Sequence, residues 1–274
     1  LGYAPFTLYR IPMDLNFSEH EIQRYARHIL LAEVGGAGQA QLRAARVLIV
    51  GAGGLGSPLA LYLAAAGVGT IGIADADTVE LSNLQRQIAH SVSSVGKNKA
   101  HSAGRAMEAL NPLVQIHAHP VRVDADNAAR LIADYDIICD GTDNFPTRFR
   151  LADAAWRSGK TLVSAAVLRF EGQLSTFRPG HNAQGQPNPC YRCLYPAPPP
   201  PGLVPSCAEA GVLGPVTGVM GTLQATEVLK EIMGIGETLA GRLLIWEALA
   251  ARFRTIRLEA DPDCGFCGAT SERL

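Results

Sequence analysis

The sequence predicts an α/β protein: a Rossmann-like, doubly wound, mainly parallel sheet with an antiparallel C-terminal extension and a structural zinc site. Three observations carry that prediction. Short apolar, strand-like runs alternate with helical patterns as far as Arg169, as crossover βαβ units require. A G-x-G-x-x-G sequence, Gly51 to Gly56, joins one such run to a helix. Two C-x-x-C pairs, Cys190/Cys193 and Cys264/Cys267, stand about 70 residues apart near the end.

The elements follow in order. Ser18 and Glu21 form a capping box, and Ile22, Tyr25, Ala26, Ile29 and Leu30 share the face of a helix that ends before Gly35-Gly36. Val47–Val50 is a buried strand, Ser57–Ala66 a helix stopped by Gly67, and Thr70–Ala74 a second strand ending at Asp75. A helix over Lys97–Leu110 is halted by Asn111-Pro112. A strand near Gln115, a short helix after Asp124 and a strand Asp136–Cys139 come next. A helix over Pro146–Arg157 and a buried strand Leu162–Val167 complete the parallel part. Gly172–Phe177 reads as an antiparallel strand, and Pro196–Pro205 as a proline-rich loop. A long helix, Val216–Met233, precedes strands at Leu243–Trp246 and Phe253–Leu258.

Composition bounds the function. The chain has 274 residues, 47% of them hydrophobic, which is ample for a sizeable core. Twenty-four basic and 25 acidic residues leave a net charge of −1. No global basic field exists to hold nucleic acid or an anionic membrane, so phosphate binding must be local. Val47 to Ala74 is uncharged and long enough to span a bilayer, but its glycines and Pro58 cut it into strand, turn, helix, turn and strand. No signal peptide is apparent, and the expected compartment is the cytoplasm. Residues 1–17 are expected to be a leader, disordered or foreign to the native chain. Residues 18–274 then form one domain, with a nucleotide-binding core over about 45–168 and a second part over about 169–274.

Gly51, Gly53, Gly54 and Gly56 permit a tight turn and close approach of a phosphate to backbone N–H groups at a helix N-terminus. Asp75, ending the next strand, is placed to accept hydrogen bonds from ribose hydroxyls. The motif alone leaves NAD, FAD and ATP open, and a glycine turn used only for packing is the plainer alternative. Ser82-Asn83-Leu84-Gln85-Arg86-Gln87 and Val95-Gly96-Lys97-Asn98-Lys99 add amides and cations beyond that strand. Arg86 and Lys99 could offset a triphosphate, which favours ATP over a dinucleotide; the alternative is solvated surface charge. No Walker sequence is present. Asp143, in Asp140-Gly141-Thr142-Asp143-Asn144, suits a magnesium ion, unless Asp143 or Asn144 merely caps a helix.

Four cysteines, Cys190, Cys193, Cys264 and Cys267, match the ligand count of structural zinc, which would tie the C-terminal part back onto the domain. Disulfides are the alternative, disfavoured because nothing marks the chain as exported. Cys139 reads as a core residue, while Cys207 is either a functional thiol able to reach the active site or an idle loop residue.

Together these residues resemble the ubiquitin-activating-enzyme superfamily in its bacterial ThiF/MoeB/HesA branch. The likeness runs from Glu21 to Gly268. It rests on Arg24-Tyr25-Ala26-Arg27, Gly51 to Gly56, Asp75-Ala76-Asp77, Ser82 to Gln87, Lys99, Thr142-Asp143-Asn144, Cys190-Tyr191-Arg192-Cys193, Cys207 to Gly214 and the last cysteine pair. The resemblance implies an adenylyltransferase. The C-terminal Gly-Gly carboxylate of a ubiquitin-like sulfur carrier, of molybdopterin or thiamine type, attacks the α-phosphate of magnesium-ATP, giving an acyl-adenylate and pyrophosphate. A carboxylate is already ionised at neutral pH, so no Ser-His-Asp constellation is needed, and none is found.

The resemblance further implies that Gly51, Gly53 and Gly56 shape the nucleotide loop and Asp75 holds the ribose. Asn83, Arg86 and Lys99 contact phosphates, and Asp143 serves magnesium. Arg27 reaches the nucleotide from the neighbouring subunit, making a homodimer the catalytic unit. The proline-rich loop resembles a crossover segment over the carrier's tail. Only seven residues follow Cys267, so sulfur is expected from a separate sulfurtransferase or cysteine desulfurase. The neutral charge balance weakens a tRNA-modifying reading within the superfamily. Outside it, an NAD- or FAD-dependent oxidoreductase and a non-catalytic zinc-stabilised binding module remain the competitors.

Overall fold

Side chains alternate across β1 (Arg46–Val50), and that alternation builds two cores. Val47 and Ile49 enter one core with Leu59 and Leu63 of α3 (Gly56–Ala66), Met107 of α4 (Lys99–Leu110) and Val228 of α8 (Gly214–Met233). Leu48 and Val50 enter the other with Ile132 of α5 (Ala128–Ala133) and Phe149 of α6 (Phe145–Arg157). A strand buried on both faces reads as an unbroken apolar run, as Val47–Val50 does.

The computed structural model describes residues 15–200, 202–203 and 210–268. Most of the predicted leader and Cys207 lie outside them. Among the described residues the sheet has the order β3-β2-β1-β4-β5-β6-β7-β8. The strands β2 (Thr70–Ala74), β3 (Gln115–His119), β4 (Ile137–Asp140) and β5 (Thr161–Leu168) join β1 in parallel. The strands β6 (Glu171–Phe177), β7 (Arg242–Glu247) and β8 (Arg252–Arg257) continue antiparallel from β5, as expected beyond Arg169. No helix among the described residues is long and apolar enough to cross a membrane.

The predicted N-terminal helix is α1 (Glu19–Ile29), and its Ser18–Glu21 capping box is formed. One helix runs against expectation. Gly35 and Gly36, read as a stop, instead open α2 (Gly35–Ala44). Gly38 packs so closely on Met233 and Val34 that an added Cβ would meet both at 3.0 Å. Tertiary packing overrides glycine's poor helix propensity here.

The strand order reverses between β1 and β4, where doubly wound sheets open a ligand crevice at the carboxyl ends of the strands. The loops leaving those two strands touch: a Cβ on Gly51, which has φ +98°, would meet the Gly141 carbonyl oxygen at 2.8 Å.

Candidate functional site

A cleft of about 820 Å³ opens at this switch point. Gly51, Gly53 and Gly54 line it, with Asp75, Arg86, Lys99 and Asp143. Residues far apart in sequence, each singled out as phosphate, ribose or magnesium contacts, thus share one cavity. Gly56 plays a different part, because a Cβ there would lie 1.8 Å from the Gly51 carbonyl oxygen. Its bare backbone lets the loop close on itself.

Asp75 holds that loop in place. Its Oδ2 accepts the Ala52 N–H at 2.8 Å and its Oδ1 the Asp77 N–H at 2.9 Å. Burial pushes its carboxyl up from the ordinary value, with the two N–H donors and Lys99 pulling the other way. Lys99 is buried, and its Nζ lies 3.4 Å from Asp77 Oδ2. Arg86 is half-buried, with Nη1 donating to the Ser82 carbonyl at 3.2 Å.

Asp143 and Asn144 divide the two roles that their position allowed. Asn144 caps α6, its Oδ1 accepting the Thr147 N–H at 3.0 Å, and Asp143 is left exposed on the cleft. The loop is anchored from beneath by Asp140, which is 1% exposed. Its Oδ1 accepts from the Thr142 N–H (3.0 Å) and hydroxyl (2.7 Å), and its Oδ2 from Ser164 Oγ (2.8 Å). Arg148 Nη1 lies 3.7 Å from that Oδ2, and Nη2 donates to the Thr142 carbonyl. Burial opposes the Arg148 charge most, but Asp140 together with Tyr191 and Tyr195 more than offsets it and raises the guanidinium pKa.

One expected contact falls elsewhere. Asn83 is buried in its own turn, its Oδ1 accepting the Glu80 N–H at 3.1 Å, and it does not line the cleft. Arg27, expected to act in a neighbouring subunit, is exposed on α1 and off its own chain's cleft. Cys207 lies outside the described residues. Conversely, Gln87 and Arg148 line the cleft without having been singled out. Gln87 is 4% exposed, and its Oε1 has no partner among the described residues. Its place beside Arg86 in the amide-rich segment was the available signal. Cys139 is core, as expected, with burial holding its thiol protonated.

The four remaining cysteines converge. Their sulfurs all lie within 4.8 Å of one another, with Cys190–Cys193 and Cys190–Cys264 at 3.8 Å and Cys193–Cys267 at 3.5 Å. A tetrahedron with zinc–sulfur bonds of about 2.3 Å has edges of about 3.8 Å, so the set fits zinc. Bound there, the ion would cross-link α7 (Tyr191–Leu194) to the segment after β8.

Comparison with known proteins agrees with this geometry. The ThiF family profile matches residues 25–266. The sulfur carrier protein adenylyltransferase of Thermus thermophilus is 48% identical over 254 residues, 93% of this chain and 93% of that protein. The adenylyltransferase and sulfurtransferase MOCS3 of Bos taurus is 48% identical over 259 residues, 94% of this chain but 56% of that protein. The chain spans between about half and two thirds of the length of such dual-named relatives. Escherichia coli MccB, solved with MccA-N7isoASN, superimposes with a TM-score of 0.79 at 22% identity, covering 93% of this chain and 76% of that one, a likeness of fold.

Proposed function

The chain belongs to the ThiF family, and from that premise we propose that it is an ATP-dependent adenylyltransferase acting on the C-terminal Gly-Gly carboxylate of a ubiquitin-like sulfur-carrier protein. The observation that carries this reading is the gathering of Arg86, Lys99 and Asp143 on the cleft of the glycine loop. Two cations beside a phosphate-binding turn suit a triphosphate better than the pyrophosphate of NAD or FAD. The nucleotide chemistry falls to residues of about 45–168, and carrier and zinc binding to about 169–274.

In the reaction the carrier's carboxylate oxygen bonds to the α-phosphorus while the bond to pyrophosphate breaks. The attacking group is already an anion, so the protein contributes orientation and offset of charge. The Gly53 and Gly54 backbone approaches the phosphates, Asp75 serves the ribose, and Arg86 and Lys99 draw charge toward the leaving group. Asp143, an exposed oxygen donor, would hold the magnesium that accompanies the triphosphate and neutralises part of its charge. Arg27 is off its own cleft, so we assign it to the active site of a second copy in a homodimer. Sulfur would then reach the activated carbonyl from a sulfurtransferase or cysteine desulfurase, in a molybdopterin- or thiamine-type pathway.

ATP–pyrophosphate exchange tests the reading. Exchange should appear only with a carrier ending in Gly-Gly and vanish when its last glycine is removed. Persistence without that glycine, or calorimetry favouring NAD over ATP, would defeat it. Cys207 is tested separately: as a covalent catalyst, Cys207→Ala should form the carrier adenylate and fail at sulfur loading.

A further inference from the structure

Ala52, inside the glycine loop, is fully buried, and side chains hold both of its main-chain polar groups. Its N–H donates to Asp75, and its carbonyl oxygen lies 2.9 Å from His90 Nε2. A carbonyl can only accept, so Nε2 carries the ring proton. The other ring nitrogen, Nδ1, is 2.9 Å from Ser102 Oγ and accepts that hydroxyl's hydrogen. His90 is 8% exposed, and burial lowers its pKa, so the neutral ring with this single tautomer is the resident form.

The peptide joining Ala52 to Gly53 is trans, so the Gly53 N–H points opposite to the Ala52 carbonyl. Gly53 lines the cleft, and its N–H has no protein partner among the described residues. We propose that His90 is a positioning residue for the nucleotide: by holding the Ala52 carbonyl toward the core, it aims the Gly53 N–H at the triphosphate. Ser102 fixes the ring's tautomer, and Asp75 fixes the other end of the same residue. An apolar side chain at 90 would leave the buried carbonyl unpaired, free to turn and take the Gly53 N–H with it. This role rests on the ATP reading above, and reaches beyond it to a residue that touches neither nucleotide nor carrier.

The experiment compares ATP affinity by calorimetry in the wild-type chain, His90→Phe and His90→Gln, with melting temperature recorded for each. His90→Phe should bind ATP about ten- to a hundredfold more weakly, the range for a lost hydrogen bond to a charged group. Glutamine can donate to the same carbonyl, so His90→Gln should recover to within about threefold of wild type. A purely structural histidine would lower both melting temperatures without separating the two affinities. Equal affinity in all three proteins, or equal loss in both variants, overturns the proposal. Nitrogen NMR of the wild-type imidazoles tests it even if His90→Phe does not fold: a proton on Nδ1 of His90 refutes it, and one on Nε2 supports it. Pyrophosphate exchange by the wild-type chain scores the adenylation reading separately, so exchange alongside unchanged ATP affinity in His90→Phe would sink the role of His90 alone.

Discussion

Arg192 and Asp153 form a two-point ion pair, with Nε and Nη2 each donating at 2.8 Å to a different carboxylate oxygen. The same guanidinium lies 5.0 Å from the Phe149 ring centre and 5.5 Å from that of Phe266, and its Nη1 donates to the Pro196 carbonyl at 3.3 Å. One side chain therefore links the cysteine cluster, α6 and the entrance to the proline-rich segment. Hydrogen bonding to Asp153 raises the Arg192 pKa further. Asp153→Ala should lower stability by about 1–3 kcal/mol, the cost of orphaning a charge-assisted pair. An unchanged urea midpoint would contradict it.

Zinc should be present at about one ion per chain, since four thiolates at tetrahedral spacing make one site. Cys264→Ser should lose the metal and destabilise the fold by several kcal/mol, because structural zinc binding can contribute about 10 kcal/mol or more. Metal analysis of fully active, freshly purified protein decides the matter; finding none would rule the site out.

Lys99 should matter to chemistry more than to folding. Its Nζ has one exposed partner, Asp77, which a triphosphate can replace. Lys99→Ala should slow pyrophosphate exchange by about 10²–10³, the usual loss for a charge-stabilising group, while remaining folded. A loss smaller than about tenfold would remove Lys99 from the phosphate site.

Arg27 and Asp143 should complement one another across a dimer. Arg27→Ala and Asp143→Ala should each be nearly inactive as homodimers. After free re-association of an equal mixture, half the dimers are mixed, and each mixed dimer carries one intact site. About a quarter of all sites should recover, from two-fold symmetry. If subunits exchange and no activity returns, Arg27 does not act across the interface.

Acid should weaken the fold through two histidines, the buried His90 and the half-buried His119. Burial first, and then Lys99 for His90 and His117 for His119, lowers both pKa values below the ordinary 6.5. Below 6.5 the unfolded chain therefore takes up protons that the folded chain refuses. Their contribution is complete above 6.5 and is lost as pH falls from there toward the depressed folded values. His119→Gln keeps a partner for the Tyr135 hydroxyl, which lies 2.8 Å from His119 Nε2, and should flatten the acid limb of a stability–pH curve. An unaltered limb would show that His119 does not contribute.

Much of the fold and the site is legible in the chain itself, for a local reason. The Ser18 capping box, the Gly51–Gly56 turn and the paired cysteines each announce their structure within a few residues. The opening of α2 is not legible, because Gly35 and Gly36 signal a stop, while the close packing of the helix on Met233 and Val34, made at Gly38, exists only in the fold. Asp143 against Asn144 is a real ambiguity in the sequence, since both residue types cap helices; the hydrogen bond to Thr147 resolves it. Arg148 is hidden for the opposite reason. It sits in a helix that reads as ordinary, and its importance arises from Asp140, a strand residue that the helix meets only in the fold.

Gly53 and Gly56 also differ in what their replacement would report. Closure of the turn demands Gly56 whether or not a nucleotide ever binds, because any side chain would strike the Gly51 carbonyl. At Gly53 a Cβ would meet nothing nearer than Gln87 Nε2, at 3.8 Å, so the protein alone would tolerate alanine there. A descendant of this protein that had given up catalysis could drift freely at Gly53 while still displaying Gly51 and Gly56. In genome surveys the outer glycines thus mark an intact turn, and under the role proposed for Gly53 a side chain at the central one would flag a decayed copy.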